Sequence, residues 1–370
     1  MVSDPLFGLL RAYATLQPPK SIQLPPSLSF NVVHDYLLER ILLNRHFQEF
    51  PPSKQYQSSF WKWAIDRLEL LVSEEARRFS EDEIDERIYT HHVDLMQDLS
   101  SHDVGTSASS TSYATYLWPS ASYVTYLWPS ESLPANPVYP GYANATLLES
   151  RTTIESGTTG LRTWSASLVL AEYFLSHREL VVSKTALELG CGAGFLGIII
   201  AGIQLAQSAE GSLWLTDVNE PVLERCASNI RLRANRSCQH PQLHFRTLDW
   251  FDAVATDNRL LVDALFDDAL PDIILGADVV YDPSIIPPLV QVLALALTPR
   301  ASHKRPEAYI ALTQRNKDTL ADFLQQAGAV LSVEQICERF VADNIFTGAT
   351  ELGQSAAAQS VKIFRLKAIS

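Results

Sequence analysis

Apolar residues in the first hundred positions recur with the period of an α-helix. The spacing predicts three helices, over residues 29–45, over residues 56–79 and from about residue 80. The pair Pro51-Pro52 ends the first pattern, because an interior proline removes a helix hydrogen bond and clashes with the preceding turn. We therefore predict a helical N-terminal domain over residues 1–100.

Residues 101–149 lack this pattern and contain a short duplication. Residues 100–112 are rich in Ser, Thr and Gly, a composition typical of flexible linkers. The run Ser-Tyr-Ala-Thr-Tyr-Leu-Trp-Pro-Ser at 112–120 recurs at 122–130 with Val124 in place of alanine. Two copies are too few for a solenoid, which needs at least about three repeats. We expect a linker followed by a local tandem duplication, with one copy paired as a strand.

From about residue 161 onward, short apolar runs of strand length alternate with longer helical patterns. The predicted strands cover residues 186–189, 213–216, 244–247, 272–275, 308–313 and 361–366. The predicted helices cover residues 168–175, 194–205, 222–232, 285–297 and 317–327. This alternation predicts a mainly parallel α/β sheet with helices on both faces, which binds ligands at the carboxyl ends of its strands.

The first two strand ends carry residues suited to an adenosine-containing ligand. Glycines follow the first strand, and the literal pattern G-x-G-x-x-G occurs as Gly192, Gly194 and Gly197. Asp217 ends the second strand, where a carboxylate can accept hydrogen bonds from both ribose hydroxyls or simply cap the next helix. Both features fit NAD as well as S-adenosylmethionine, so they leave the cofactor open.

Further acidic and aromatic residues mark the same edge of the sheet. Glu188 lies inside the first strand motif, Asp249-Trp250 ends the third strand, and the run Gly276 to Tyr281 ends the fourth. Each has a simple structural explanation, Trp250 as a core aromatic and Asp278 as a loop cap. Their occurrence at successive strand ends indicates a binding site that joins a cofactor to a second reactant.

These motifs together resemble a known enzyme family. The run Glu-Leu-Gly-Cys-Gly-Ala-Gly at 188–194, Asp217 and Asp278-Val-Val-Tyr281 are similar to the seven-stranded, Rossmann-like methyltransferases that use S-adenosyl-L-methionine. More narrowly, they resemble protein-lysine methyltransferases with a D-x-x-Y motif. The run Ser-Arg-Thr-Thr-Ile-Glu-Ser-Gly-Thr-Thr-Gly-Leu-Arg-Thr-Trp at 150–164 resembles the segment ahead of the core in the eukaryotic elongation factor 2 lysine methyltransferase family, which also carries a helical N-terminal domain.

The resemblance implies a methyltransferase domain over residues 150–370 and a set of site residues. Seven of them would contact the cofactor: Trp164, Gly190, Cys191, Gly192, Asp217, Trp250 and Ala277. Two more, Asp278 and Tyr281, would border the channel for the substrate lysine. The implied reaction transfers a methyl group from S-adenosyl-L-methionine to a lysine of translation elongation factor 2, with no metal. The alternatives are another protein lysine, a small molecule, an NAD-dependent oxidoreduction, or an interaction module without catalysis.

The composition of the chain limits which kinds of partner and which cellular compartment we expect. Hydrophobic residues make up 46% of the chain and charged residues 19%, which excludes disorder over the whole length. The formal charge of −13 repels phosphate backbones, so we expect a protein substrate and no direct nucleic-acid partner. Four unpaired-looking cysteines, no signal peptide and no apolar run of about 18 residues predict a cytoplasmic protein without membrane contact.

Overall fold

The chain folds as two units whose boundary falls within one β-strand. This computed structural model describes residues 5–25, 28–75, 83–101, 121–130, 138–152, 154–155, 157–207, 211–255, 257–300, 305–346 and 359–369. The first unit comprises residues 1–129 and 135–146, and the second comprises residues 130–134 and 147–370.

The first unit is built from helices packed around aromatic side chains. Its described helices are α1 (Phe7–Ala14), α2 (Phe30–Tyr36), α3 (Arg45–Glu49), α4 (Lys54–Glu75) and α5 (Glu86–Ser101), and α2 continues as a π-helical segment (Leu37–Leu42). The rings of Tyr13, Phe60 and Trp61 are fully buried and in mutual contact, with 4.6 Å between the centroids of Tyr13 and Phe60. The apolar spacing predicted α2, α4 and α5 but neither the five-residue α3 nor the eight-residue α1, which has no side-chain cap to mark its start.

The duplicated segment contributes a strand to this unit. The second copy forms β1 (Ala121–Pro129), which pairs with β2 (Tyr142–Ser150) in a two-stranded sheet, while the first copy lies outside the described residues. Imidazole Nε2 of His46 lies 2.9 Å from the Thr125 hydroxyl and 3.2 Å from that of Thr146, so helix α3 is hydrogen-bonded to both strands. One copy therefore pairs as a strand, as expected.

The second unit contains a seven-stranded sheet, which confirms the predicted α/β fold. Its strands are β3 (Thr185–Leu189), β4 (Ser212–Asp217), β5 (Leu243–Thr247), β6 (Ile273–Ala277), β7 (Glu307–Thr313), β8 (Leu331–Phe340) and β9 (Ser360–Ala368). They lie in the order β5-β4-β3-β6-β7-β9-β8; the first five are parallel, and β9 is antiparallel to both of its neighbours. The chain order reverses at β3, so the switch point of the sheet lies between β3 and β6.

Helices cover the sheet and supply most of the apolar core. They are α6 (Ser165–Ser176), α7 (Phe195–Ala206), α8 (Glu220–Ile230), α9 (Arg259–Ala269), α10 (Ile286–Ala296) and α11 (Lys317–Val330). Leu187 and Leu189 of β3 belong to the same buried cluster as Leu289 and Leu293 of α10. Burial of these side chains holds the carboxyl ends of the central strands at one edge of the sheet.

Two elements of this unit are absent from the sequence prediction for physical reasons. Helix α9 turns Leu260 and Leu261 to solvent, so its apolar residues do not follow one buried face. Strand β8 lies at the edge of the sheet, and half of its ten side chains are polar and exposed in no regular alternation, which gives little apolar signal. No helix in the described ranges has both the length and the apolar character needed to cross a membrane.

The His46 imidazole makes the stability of the first unit depend on pH. Burial lowers the pKa of His46 from 6.5 to about 4, so the unfolded chain binds an extra proton between these values. The stability contributed by the neutral ring is complete above pH 6.5 and is lost as pH falls toward 4, by about 3 kcal/mol. We expect His46→Gln to flatten this acid limb in hydrogen exchange of α4; an unchanged limb would exclude His46 as its source.

Candidate active site

A cavity of about 310 Å³ opens at the carboxyl ends of the central strands. It is bounded by the loops after β3, β4, β5 and β6 and by the segment that precedes α6. All nine site residues predicted from the sequence line it: Trp164, Gly190, Cys191, Gly192, Asp217, Trp250, Ala277, Asp278 and Tyr281. Folding thus brings together residues as far apart in the chain as Trp164 and Tyr281.

The loop after β3 requires glycine at two positions. Gly190 has φ +66°, and a β-carbon there would lie 3.3 Å from Val279 Cγ1 and 3.6 Å from the Trp250 ring. Gly192 has φ +52°, and a β-carbon there would lie 3.1 Å from the carbonyl oxygen of Gly160. A side chain at either residue would combine left-handed backbone strain with a crowded contact. The loop therefore presents bare backbone to the cavity.

The segment before α6 forms the facing wall. Indole Nε1 of Trp164 donates to the carbonyl of Thr159 at 3.0 Å, which closes the segment on itself. The hydroxyl of Thr163 donates to the buried carboxylate of Glu149 at 2.6 Å, which ties the same segment to β2. A β-carbon at Gly160 would lie 2.9 Å from Val222, so the segment fits closely against α8. The residues with the most specific family resemblance are thus part of the cavity wall.

Backbone amides fix the Asp217 carboxylate at the end of β4. Its Oδ2 accepts from the N–H of Gly192 at 3.2 Å, and its Oδ1 accepts from the N–H of Asn219 at 3.1 Å. Burial raises the pKa of Asp217, and these backbone hydrogen bonds act in the opposite direction. Each carboxylate oxygen retains a further lone pair, so the pair of oxygens suits two neighbouring hydroxyls.

The Asp249-Trp250 pair has both a structural role and a place in the cavity. The Asp249 carboxylate accepts from the N–H of Phe251 at 2.9 Å and caps a short 3-10 helix, Trp250–Ala253. The Trp250 indole packs on the core cluster and borders the cavity beside Gly190. Trp250 is therefore both an aromatic residue packed on the core and a residue that lines the cavity.

Asp278 and Tyr281 occupy very different environments after β6. The Asp278 side chain is 6% exposed, and its carboxylate accepts from the N–H and hydroxyl of Thr313 and from Arg315. It is not the loop cap that the sequence offered as an alternative. Tyr281 is 61% exposed at the mouth of the cavity. Loss of water around its hydroxyl, followed by the charges of Asp217 and Asp282, raises the pKa of Tyr281, so the phenol is neutral near pH 7.

Some cavity residues escaped the sequence prediction, and one acidic residue lies elsewhere than expected. Val218 and Phe251 directly follow predicted strand-end residues, and their exposed apolar side chains border the cavity. Their adjacency to Asp217 and Trp250 was the available signal. Glu188 does not line the cavity. It lies buried in β3, its Oε2 has no hydrogen-bond partner among the described residues, and burial raises its pKa well above the usual range.

The residue set fits S-adenosyl-L-methionine. Gly190, Cys191 and Gly192 line the cavity, and the two glycines let a ligand approach the backbone of this loop without a side chain between them. Asp217 offers two fixed acceptors for ribose hydroxyls, and the aromatic rings of Trp250 and Phe251 offer an apolar wall for adenine. The glycine loop, Asp217 and the two aromatic rings all line the same cavity, so one bound cofactor could contact all of them.

Comparisons with known proteins identify the family. The family model described as lysine methyltransferase matches residues 144–328, which is half of the chain. Similar curated proteins include the protein-lysine N-methyltransferase EEF2KMT of Homo sapiens (29% identical over 285 residues, 75% of this chain and 71% of that protein) and of Bos taurus (31% over 199 residues, 51% and 57%). Another is the protein-lysine N-methyltransferase EFM3 of Chaetomium thermophilum (34% over 189 residues, 50% and 51%). The last two matches span little more than half the length of those relatives.

Solved structures align only loosely. A TehB-like SAM-dependent methyltransferase from Corynebacterium glutamicum aligns with a TM-score of 0.32 and 15% identity over 54% of this chain and 88% of its own, which is too low to carry further weight. The family match and the cavity that holds all the predicted residues lead to one conclusion. The chain belongs to the lysine methyltransferase family, as its motifs predicted, and is a protein-lysine N-methyltransferase that uses S-adenosyl-L-methionine.

Proposed function

We propose that this enzyme methylates a lysine of translation elongation factor 2. The observation that carries the proposal is the segment ending in Gly-Thr-Thr-Gly-Leu-Arg-Thr-Trp at 157–164, which resembles the elongation factor 2 lysine methyltransferases and forms a wall of the cavity. The relatives named protein-lysine N-methyltransferase EEF2KMT support the same substrate. A resemblance located in the site bears on specificity more directly than one in the core.

The cofactor is assigned to the inner part of the cavity. Gly190, Cys191 and Gly192 present backbone to its methionine and ribose portions, and Asp217 holds the ribose hydroxyls. Trp250 flanks the adenine. When bound, S-adenosyl-L-methionine supplies a methyl group activated by a sulfonium. The role of the protein is to hold this group in fixed alignment with the entering amine.

Trp164 and Ala277 complete the cofactor side of the proposal. The Trp164 indole packs against the cofactor from the segment before α6, and Ala277 places backbone near the sulfonium from the end of β6. Both residues line the same cavity as the glycine loop and Tyr281. We therefore assign them to the part of the cavity where the cofactor and the substrate lysine would meet.

The substrate lysine enters past Tyr281. A lysine ammonium has an ordinary pKa of about 10.4. Only the neutral amine, formed when the ammonium loses its proton, can attack the methyl group. The apolar lining of the cavity lowers that pKa by desolvation, and the neutral phenol of Tyr281 can accept a hydrogen bond from the ammonium at the mouth. Asp278 borders the same channel from the end of β6. Alignment and desolvation, rather than a strong base, then account for most of the acceleration.

Each part of the chain has a role in this proposal. Residues 150–370 form the catalytic domain, residues 101–149 the linker and duplicated segment, and residues 1–100 a helical domain that docks the protein substrate. The formal charge of −13 suits a protein with a basic face and disfavours direct contact with nucleic acid. The cytoplasm, where elongation factor 2 acts, is the proposed compartment.

The substrate is tested by incubating a cell lysate, and then purified elongation factor 2, with labelled S-adenosylmethionine. We expect one labelled band at the size of elongation factor 2 and labelling of a lysine in the purified factor. Labelling of a different protein instead would reject elongation factor 2 as the substrate but leave the methyltransferase activity unchallenged. Binding of NADH with no binding of S-adenosylhomocysteine in isothermal titration would reject the methyltransferase.

Gly190→Arg tests the assignment of the glycine loop. The side chain would project from a left-handed backbone toward Val279 and Trp250, into the space assigned to the cofactor. We expect loss of measurable S-adenosylhomocysteine binding in titration calorimetry. The matched control is Gly328→Arg, because a β-carbon at this exposed glycine in α11 has no neighbour within 4 Å. Equal affinity in the two variants would show that the loop after β3 does not hold the cofactor.

Tyr281→Phe tests the substrate side of the site. Removing the hydroxyl should lower methyl transfer to elongation factor 2 by about ten- to hundredfold, since a positioned polar group at the reacting amine is lost. Binding of S-adenosylhomocysteine should stay within about twofold. Tyr173→Phe, on α6 and outside the cavity lining, is the control. Wild-type turnover in Tyr281→Phe would remove this hydroxyl from the mechanism.

A further inference from the structure

The Asp278 carboxylate is hydrogen-bonded to the end of β7 and to the segment that follows it. Its Oδ1 accepts from the N–H of Thr313 at 2.9 Å, and its Oδ2 accepts from the Thr313 hydroxyl at 3.0 Å and from Arg315 at 2.9 Å. Charge-assisted hydrogen bonds of this kind are the stronger ones in proteins. The carboxylate is therefore paired with a cation before any lysine arrives.

The backbone of Asp278 is fixed as firmly as its side chain. Its N–H donates to the carbonyl of Ala311 at 2.9 Å, and its φ of +55° lies in the left-handed region, which is uncommon for a residue with a side chain. Turning the carboxylate toward the cavity would break its hydrogen bonds to Thr313 and leave Arg315 without its ion-pair partner. Such a rearrangement is costly, because a paired, poorly exposed carboxylate loses its hydrogen bonds and its counter-charge together.

Arg315 in turn contacts the cavity wall. Its guanidinium carbon lies 4.8 Å from the centroid of the Trp164 ring, a distance at which a cation is attracted to an aromatic face. The edge of the same indole is held by its hydrogen bond to the carbonyl of Thr159. Arg162 contacts the ring at the longer distance of 5.9 Å. Arg315 thus holds one face of the Trp164 indole, and the carbonyl of Thr159 holds one edge.

We propose that Arg315 is a positioning residue, held by Asp278, that sets the orientation of the Trp164 indole in the cofactor-binding wall. The acidic residue of the D-x-x-Y motif then acts through Arg315 and Trp164, while Tyr281 is the member of the motif that meets the lysine. The inference rests on the proposed function only for the identity of the ligand, since the chain Asp278–Arg315–Trp164 is present in the structure itself.

Arg315→Met is the first test, because methionine keeps similar length and removes the charge and the planar hydrogen-bonding group. We expect S-adenosylhomocysteine affinity to fall about tenfold and the indole emission of the ligand-free protein to change. The emission change should vanish when Trp164→Phe is the background, which assigns it to this ring among the seven tryptophans. Arg315→Lys keeps the cation but not the planar group, so it should recover part of the affinity.

The pair is tested by a double-mutant cycle with Asp278→Asn. If Asp278 acts through Arg315, the single variants and the double variant should weaken S-adenosylhomocysteine binding to the same extent. Arg300→Met is the matched control, since Arg300 also pairs with an aspartate, Asp267, and lies 5.4 Å from the Phe266 ring, but outside the cavity lining. It should change neither ligand affinity nor the Trp164 emission.

Two results would overturn the inference. One is wild-type ligand affinity and wild-type emission in Arg315→Met. The other is an Asp278→Asn variant that loses methyl transfer at unchanged S-adenosylhomocysteine affinity, which would place the carboxylate on the lysine itself. If even the wild type fails to bind S-adenosylhomocysteine, the proposed function fails, and the emission of Arg315→Met still decides the role of Arg315.

Discussion

The site depends on the close approach of two backbone segments that are thirty residues apart in the chain. Gly192, in the loop after β3, lies against the carbonyl of Gly160, with room for no more than a hydrogen on its α-carbon. Gly160 is in turn packed on Val222 of α8. This contact brings the segment that carries the family resemblance against the sheet. Together with the contact between Arg315 and Trp164, it places the indole beside the strand ends that bear Asp217 and Asp278.

The acidic side chains of the cavity share a common design. Asp217 is held by backbone N–H groups of its own loop and of the glycine loop, and Asp278 is held by Thr313 and Arg315. Each carboxylate is thus pre-oriented, which lowers the entropic cost of binding a ligand. They differ in what remains available: Asp217 keeps further lone pairs for the ribose hydroxyls that we propose it binds, whereas the charge of Asp278 is balanced by Arg315. We assign them to ligand contact and wall support, respectively.

The sequence revealed the cavity residues because parallel strands end at one edge, so residues after successive strands converge without any long-range information. Eight of the nine predicted positions lie at or after the ends of β3, β4, β5 and β6, whereas Trp164 was implied only by the family resemblance of the segment before α6. The role of Arg315 could not be predicted from the sequence. Arg315 follows β7, and both of its partners, Asp278 and Trp164, lie far from it in the chain, so no local sequence pattern marks these contacts. Helix α9 and edge strand β8 were missed for a related reason, since solvent faces much of their surface and weakens the apolar period.

Hydrogen exchange of the full chain, with and without S-adenosylhomocysteine, tests the central claim most directly, because it locates the ligand without a substrate. The structure predicts added protection in residues 158–164, 190–194, 217–219, 249–251 and 277–281, the segments that line the cavity. Strand β8 and the first helical unit should be unchanged. Protection confined to other segments, or binding without protection of residues 190–194, would contradict the assignment of this cavity to the cofactor.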